Sequence, residues 1–157
     1  MPKIEKITKQ TENPYVNLYL VEGKNKADHP FRYYVASRAK TMEALKIKTK
    51  KNTPDGVLMY SLYGEKRDKI VLVRQYRVSI DDYIYEFPAG LVESGEEFHE
   101  AAVREMHEET GLTFHPLKVD PCYEKPFFTT IGMTDEACSA VYGWCEGEIS
   151  RKYLEES

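Results

Sequence analysis

Apolar and polar side chains alternate along Tyr15-Val16-Asn17-Leu18-Tyr19-Leu20-Val21, a run rich in aromatic and β-branched residues that predicts a strand. Phe31 to Ala36 has the same character and is expected to pair with it across the polar turn Gly23 to Pro30. From Thr41 to Asn52 the chain is strongly basic; Met42, Leu45 and Ile47 allow a short helix, but Lys46 to Lys51 reads more simply as a solvated surface. Strands follow at Gly56 to Leu62 and Lys69 to Val78, with Gly64 and Asp68 marking the turn between them. A shorter strand around Tyr83 to Phe87 leads into Pro88-Ala89-Gly90. The period then changes. Glu96 to Thr110 reads as a helix with an apolar stripe of Ala102, Val103 and Met106. Ser94 is placed as its N-cap with Glu97 completing a capping box, and Gly111 as the C′ residue. Strands return at Leu117 to Glu124 and Ala137 to Trp144. Mixed strands around one strong helix predict an α/β sandwich rather than a βαβ repeat.

Near the C-terminal end of that helix, Glu105 and Glu109 are one i,i+4 step apart and Glu108 lies three beyond Glu105, so the three share a face. Like charges at that spacing cost about 0.2–0.5 kcal/mol per pair. Anions at the negative end of a helix dipole cost roughly 0.3–1 kcal/mol each. Stability alone would put Lys or Arg there. Arg104 offsets part of the repulsion, and the cluster reads equally as a solvated acidic face or as an oxygen-ligand set for a hard divalent cation.

The 157 residues, 41% hydrophobic, suit one globular domain with a continuous core. A net charge of −4 argues against a nucleic-acid surface. No apolar run resembles a signal peptide or approaches the roughly 20 residues of a membrane span, so a cytoplasmic protein with no membrane partner is expected. Cys122, Cys138 and Cys145 have neither disulfide nor zinc spacing and read as buried thiols.

The balance at the acidic cluster shifts once its surroundings are included. Gly90, Glu96, Arg104, Glu105, Met106, Glu108, Glu109, Gly111 and Leu112 fit the pattern GX5EX7REUXEEXGU, where U is an aliphatic residue, with no departure. At average residue frequencies such a match arises by chance in roughly one protein in ten million. This is the Nudix box, and the chain resembles the Nudix hydrolases. Val73-Arg74-Gln75-Tyr76-Arg77 followed by Glu86-Phe87-Pro88-Ala89-Gly90 looks like the ADP-ribose pyrophosphatase branch. Gly132-Met133-Thr134-Asp135-Glu136 is similar to that branch's SPGxSxE loop, except that Thr130 and Ile131 stand where Ser and Pro are common.

The resemblance implies a Nudix-type α/β/α sandwich with a mixed sheet, spanning residues 53–157, and an N-terminal antiparallel β extension over residues 1–40 through which two copies pair as a homodimer. It implies hydrolysis of ADP-ribose or a related ADP-sugar to AMP and a sugar phosphate. Mg²⁺ or Mn²⁺ would be held by Glu105, Glu109 and the Ala89 carbonyl, with Glu108 ligating a second ion or orienting a water. Arg104 would hold a box carboxylate in place. Arg77 is the candidate for the substrate phosphates, since guanidinium donors match phosphate oxygens in bidentate fashion; the alternative is a surface arginine at a strand end. Glu86 either sits beside the cluster or ends an exposed strand. Arg38 would contact the base from across the dimer. The strand tyrosines, Tyr33, Tyr34, Tyr60, Tyr76 and Tyr85, are expected to pack rather than stack on a base. His99 and His107 are expected to be bystanders.

Relatives continue past this point with another strand and helix, so the chain is expected to be truncated. Tyr153-Leu154-Glu155-Glu156-Ser157 looks like the start of the loop that carries the relatives' catalytic base. Glu156 is its positional match and Glu136 the runner-up. Two other readings remain: a Nudix hydrolase for a different nucleoside diphosphate derivative, and a Nudix-fold module that senses a nucleotide without hydrolysing it.

Overall fold

The computed structural model describes residues 1–154. The chain divides into two compact units, one made of residues 1–53 with 128–137, the other of residues 54–127 with the chain from 138 onward.

The first unit is built on a three-stranded antiparallel sheet of β1 (Lys3–Lys9), β2 (Asn17–Lys24) and β3 (Pro30–Ser37), with β2 central. Burying Tyr19, Leu20 and Val21 anchors β2, and Tyr19 pairs with Val35 across β3. β1 was not expected: its sequence Lys3-Ile4-Glu5-Lys6-Ile7-Thr8-Lys9 lacks a period-2 apolar face because it is an exposed edge, where charged side chains protect against stray pairing. The basic segment yields one helical turn, α1 (Lys46–Thr49), held down by the buried Leu45 before it. The segment 128–137 joins this unit through a parallel bridge between Ala36 and Thr134.

The second unit carries a mixed sheet. β4 (Gly56–Tyr63) runs parallel to β11 (Ala137–Glu146) and antiparallel to both β5 (Lys69–Ile70) and β8 (Ala89–Leu91). β9 (Thr113–Pro116) lies antiparallel to β11, and β10 (Phe127–Phe128) is a two-residue edge strand. β6 (Val73–Arg77) and β7 (Asp82–Glu86) form a separate hairpin. The helix α2 (Phe98–Thr110) covers the sheet with Ala101, Ala102 and Met106, which pack with Val57, Met59, Leu112, Phe114, Val141 and Cys145. Burial of each large apolar side chain contributes roughly 1.5–3 kcal/mol, which outweighs the unfavourable acidic turn at the helix end. Among the described residues no helix is long and apolar enough to cross a membrane.

Several local expectations change. Val103 points outward, while Ala101 takes its place in the buried stripe. The strand expected at Leu117 to Glu124 does not form: β9 ends at Pro116 and a 3₁₀ turn follows at Pro121–Tyr123, because Asp120 caps that turn and Pro121 opens it. The single strand expected over Lys69 to Val78 is split into β5 and β6, which pair with different partners. Of the thiols only Cys145 is buried; Cys122 is exposed. The tyrosines expected to pack are largely exposed, Tyr85 at 71% and Tyr34 at 51%.

Candidate active site

The geometry starts at the turn that precedes α2. Glu93 and Glu96 close it, with the Glu96 N–H donating to the Glu93 carbonyl (3.1 Å) and the Glu96 carboxylate accepting from the Glu93 N–H (2.9 Å). Gly95 sits inside at φ +87°, a conformation that favours glycine. The helix therefore begins later than the capping-box reading placed it. Glu97, not Ser94, is the N-cap and accepts from the His99 N–H at 2.8 Å. At the other end Gly111 adopts φ +75° and its N–H donates to the His107 carbonyl, the expected left-handed stop.

Arg104 is the hub of the acidic face. Its Nε and Nη2 grip both Glu96 carboxylate oxygens (2.9 and 3.0 Å), Nη1 reaches Glu105 (2.9 Å) and Glu108 (3.1 Å), and Nη2 also donates to the Leu91 carbonyl (3.0 Å). These contacts raise the Arg104 pKa further, the Glu96 hydrogen bonds most, while Arg104 in turn holds the Glu96 carboxyl down at about 2. Glu105 behaves oppositely. Burial raises its pKa above the usual carboxylate value despite the Arg104 hydrogen bond, because its carboxyl lies against the Gly90 backbone. A Cβ at residue 90 would sit 1.9 Å from the Glu105 carboxyl carbon, so only glycine lets the carboxyl lie where it does.

Glu109 has no place in the Arg104 network. Its carboxylate accepts one long hydrogen bond, from the Ala89 N–H at 3.3 Å, and burial pushes its pKa up to about 7, with Glu105 and Glu86 adding repulsion and Arg77 partly opposing it. A desolvated carboxylate among other carboxylates lacks positive charge. Glu105, Glu108, Glu109 and the backbone of Ala89 offer only oxygen donors, which suit a hard divalent cation. Among the described residues no three acidic, histidine or cysteine side chains converge as a ready-made metal cage. Between Glu105 and Glu108 the positive charge comes from Arg104.

Arg77 and Glu86 sit on one face of the β6–β7 hairpin. Register pairs Arg77 with Asp82 and Val73 with Glu86, so the guanidinium runs back along the hairpin to meet the carboxylate in a bidentate pair (2.6 and 2.7 Å). That pair raises the Arg77 pKa and lowers that of Glu86. Arg38 and Glu136, 98 positions apart, are joined within the first unit at 2.8 Å, and Thr129 also donates to Glu136 (3.3 Å). Glu156 lies outside the described residues.

His99, expected to be a bystander, is a tie instead. Its Nδ1 meets Glu97 (3.0 Å) and its Nε2 meets Glu124 (2.8 Å), linking the start of α2 to the segment after the 3₁₀ turn. An i,i+2 acid before a histidine at a helix start was the available signal; the partner Glu124 had none.

A mixed sheet bearing a single long helix, with a glycine-framed acidic face at the end of that helix, defines a loop–helix–loop α/β protein built around half-buried carboxylates. The family model for the NUDIX domain matches residues 52–149, and the chain belongs to that family. It is 35% identical over 80 residues to the ADP-ribose pyrophosphatase of Saccharomyces cerevisiae, an alignment covering 50% of this chain and 35% of that protein. It is 36% identical over 87 residues to the ADP-sugar pyrophosphatase of Mus musculus, covering 54% of this chain and 40% of that protein. These alignments thus span well under half of either relative. Among solved structures, one described as an ADP compounds hydrolase matches 99% of this chain and 74% of its own, with a TM-score of 0.70 at 18% identity, a likeness of fold.

Proposed function

We propose that this chain hydrolyses the pyrophosphate bond of ADP-ribose or a related ADP-sugar, giving AMP and a sugar phosphate, with Mg²⁺ or Mn²⁺ as cofactor. The observation that carries the reading is Glu109: a carboxylate desolvated beside other carboxylates, pushed up to about 7, on a helix whose dipole disfavours it. Stability gains nothing from that arrangement, and a divalent cation resolves it.

Glu105, Glu109 and the Ala89 carbonyl would hold the ion, with Glu108 beside them. When bound, the ion neutralises diphosphate charge and lowers the pKa of a coordinated water. The chain's own residues do the positioning. Arg104 fixes the rotamers of Glu96, Glu105 and Glu108 by using every guanidinium nitrogen. Arg77 is the phosphate ligand, and the Glu86 carboxylate already holds it in the bidentate arrangement a phosphate would take up. Glu136 and Glu156 are the candidates for the base, and Arg38 for a base-recognising contact. The names of the yeast and mouse relatives, an ADP-ribose and an ADP-sugar pyrophosphatase, support the ADP-linked substrate class. The protein acts in the cytoplasm on a small nucleotide, as a homodimer paired through residues 1–40, with no nucleic-acid or membrane partner.

The test is a panel of nucleoside diphosphate compounds with product analysis. Release of AMP and ribose 5-phosphate from ADP-ribose, at a kcat/KM above those for dinucleotides and nucleoside triphosphates, is the expected result. Preference for a compound with another base or a triphosphate would move the chain to another Nudix substrate class.

A further inference from the structure

We propose that residues 147–153 form a strap that sets the position of Glu109, with Ser150 as its positioning residue. The proposal rests on the reading of Glu105, Glu108 and Glu109 as ligands of a divalent cation, and it assigns to the chain after β11 the task of holding the end of α2 that carries them.

Three contacts fasten the strap, all of them within the second unit. The Tyr63 hydroxyl, at the end of β4, donates to the Gly147 carbonyl (2.8 Å). The Ser150 N–H donates to the carbonyl of Thr110, the last residue of α2 (2.8 Å). The Tyr153 ring lies against the His107 ring with centroids 4.4 Å apart, so His107, expected to be a bystander, is the far anchor of the strap. Between these points the Ser150 hydroxyl accepts the Lys152 N–H (3.1 Å), which turns the chain toward Tyr153. The approach to the helix end is close: a Cβ added at Gly111 would lie 2.8 Å from the Ser150 Cβ and 3.0 Å from its nitrogen.

An α-helix leaves its last four carbonyls without intrahelical donors. In α2 the His107 carbonyl takes the Gly111 N–H, and the Thr110 carbonyl takes Ser150. Thr110 is 5% exposed, so water is a poor substitute for that donor. Helix ends fray when nothing holds them, and Glu108 and Glu109 both lie in this last turn. Their side chains are anchored unequally. Arg104 grips the Glu108 carboxylate, whereas Glu109 has only the long hydrogen bond from the Ala89 N–H. The place of the Glu109 carboxylate therefore follows the backbone of the last turn, and the strap holds that backbone. Small displacements count here, because ligand oxygens must lie within about 0.2 Å of their proper distance from a cation.

The experiment compares the full unmodified chain with Ser150→Pro, which removes the N–H, and Ser150→Ala, which keeps it. Two quantities are measured: amide hydrogen exchange of the metal-free chain, and Mn²⁺ binding by calorimetry. Ser150→Pro should speed exchange at Glu108 to Gly111 by about ten-fold or more while the amides of Ala102 to Met106 stay protected. It should also weaken Mn²⁺ binding by about ten-fold, the lower end of what loss of a ligand-orienting contact costs. Ser150→Ala should match the unmodified chain in both. If Ser150→Pro does not fold, Tyr63→Phe combined with Tyr153→Ala releases the other two tethers and should move both quantities in the same direction. Unchanged exchange in the last turn overturns the proposal. Faster exchange with unchanged Mn²⁺ binding also overturns it, since the strap would then serve stability alone. Absence of Mn²⁺ binding by the unmodified chain overturns the metal reading and the proposal together, whereas the first two outcomes leave the metal reading standing.

Discussion

At the scale of single residues, the site is shaped by what each side chain is denied. Glu109 has only the partial compensation of Arg77, and Glu105 is pressed against a residue that has no side chain to resist it. Adding a methyl at Gly90 would bring a carbon to 1.9 Å from the Glu105 carboxyl carbon, yet that carboxyl is the free end of a flexible side chain. The chain can therefore absorb Gly90→Ala by swinging Glu105 aside, and the gain of about 0.4–1 kcal/mol from a stiffer unfolded chain offsets part of the strain. The carboxylate, however, leaves its place. Gly90→Ala is expected to keep the thermal midpoint within a few degrees while lowering kcat by about ten-fold or more. Full activity would show that Glu105 need not lie against residue 90. The acidic residues were legible because their spacing matches a helix face, and this glycine because it holds a fixed position of the motif that surrounds them. The Arg104 network was legible only as a single partnership, since its grip on the Leu91 carbonyl depends on a strand that precedes the helix by several residues.

At the scale of elements, α2 is held at each end by different means. Gly111 ends it through backbone geometry, whereas its start depends on side chains, with His99 bridging Glu97 and Glu124. Burial alone would lower the His99 pKa, but the hydrogen bonds the ring donates to Glu124 and Glu97 overcome it and leave the value above the ordinary 6.5. A histidine raised in the folded state contributes its full stabilisation below the unfolded value and loses it as the pH climbs through the folded one. Thermal midpoints of the unmodified chain and His99→Gln, measured from mildly acidic to mildly alkaline pH, should therefore differ most below pH 6.5 and converge above it. A gap that widens with rising pH would contradict the clamp. The helix was clear in the sequence because thirteen residues repeat a 3.6 period. Its first turn was misplaced because Ser94 and Glu97 mimic a capping box, while Glu96 is drawn away by Arg104. β1 was missed because an edge strand of alternating charge has no apolar face to reveal it.

At the scale of the whole molecule, the first unit exposes aromatic surface on and beside its sheet: Tyr15 at 77%, Tyr34 at 51% and Tyr33 at 45%. A third strand makes the sheet more than a marginal hairpin, so the case for a partner rests on this exposed aromatic surface. Light scattering at micromolar concentration is expected to give the mass of two chains, and Tyr34→Lys to shift it toward one; a single-chain mass for the unmodified protein would contradict dimerisation. None of this partnership was readable from periodicity, which reports the inside of a chain and not its assembly. The place of the segment 128–137 was likewise hidden, because it leaves the second unit for the first with no marked change of composition.

The central claim is that the carboxylates of α2 act through a divalent cation. It is tested most directly by the rate of AMP release from ADP-ribose in Mg²⁺, in excess EDTA, and in Mg²⁺ with Glu109→Gln. The expected result is turnover in Mg²⁺ only. EDTA should abolish it, and Glu109→Gln should reduce it by about 100-fold or more while circular dichroism stays unchanged. Undiminished hydrolysis in EDTA, or full turnover by a folded Glu109→Gln chain, would contradict it.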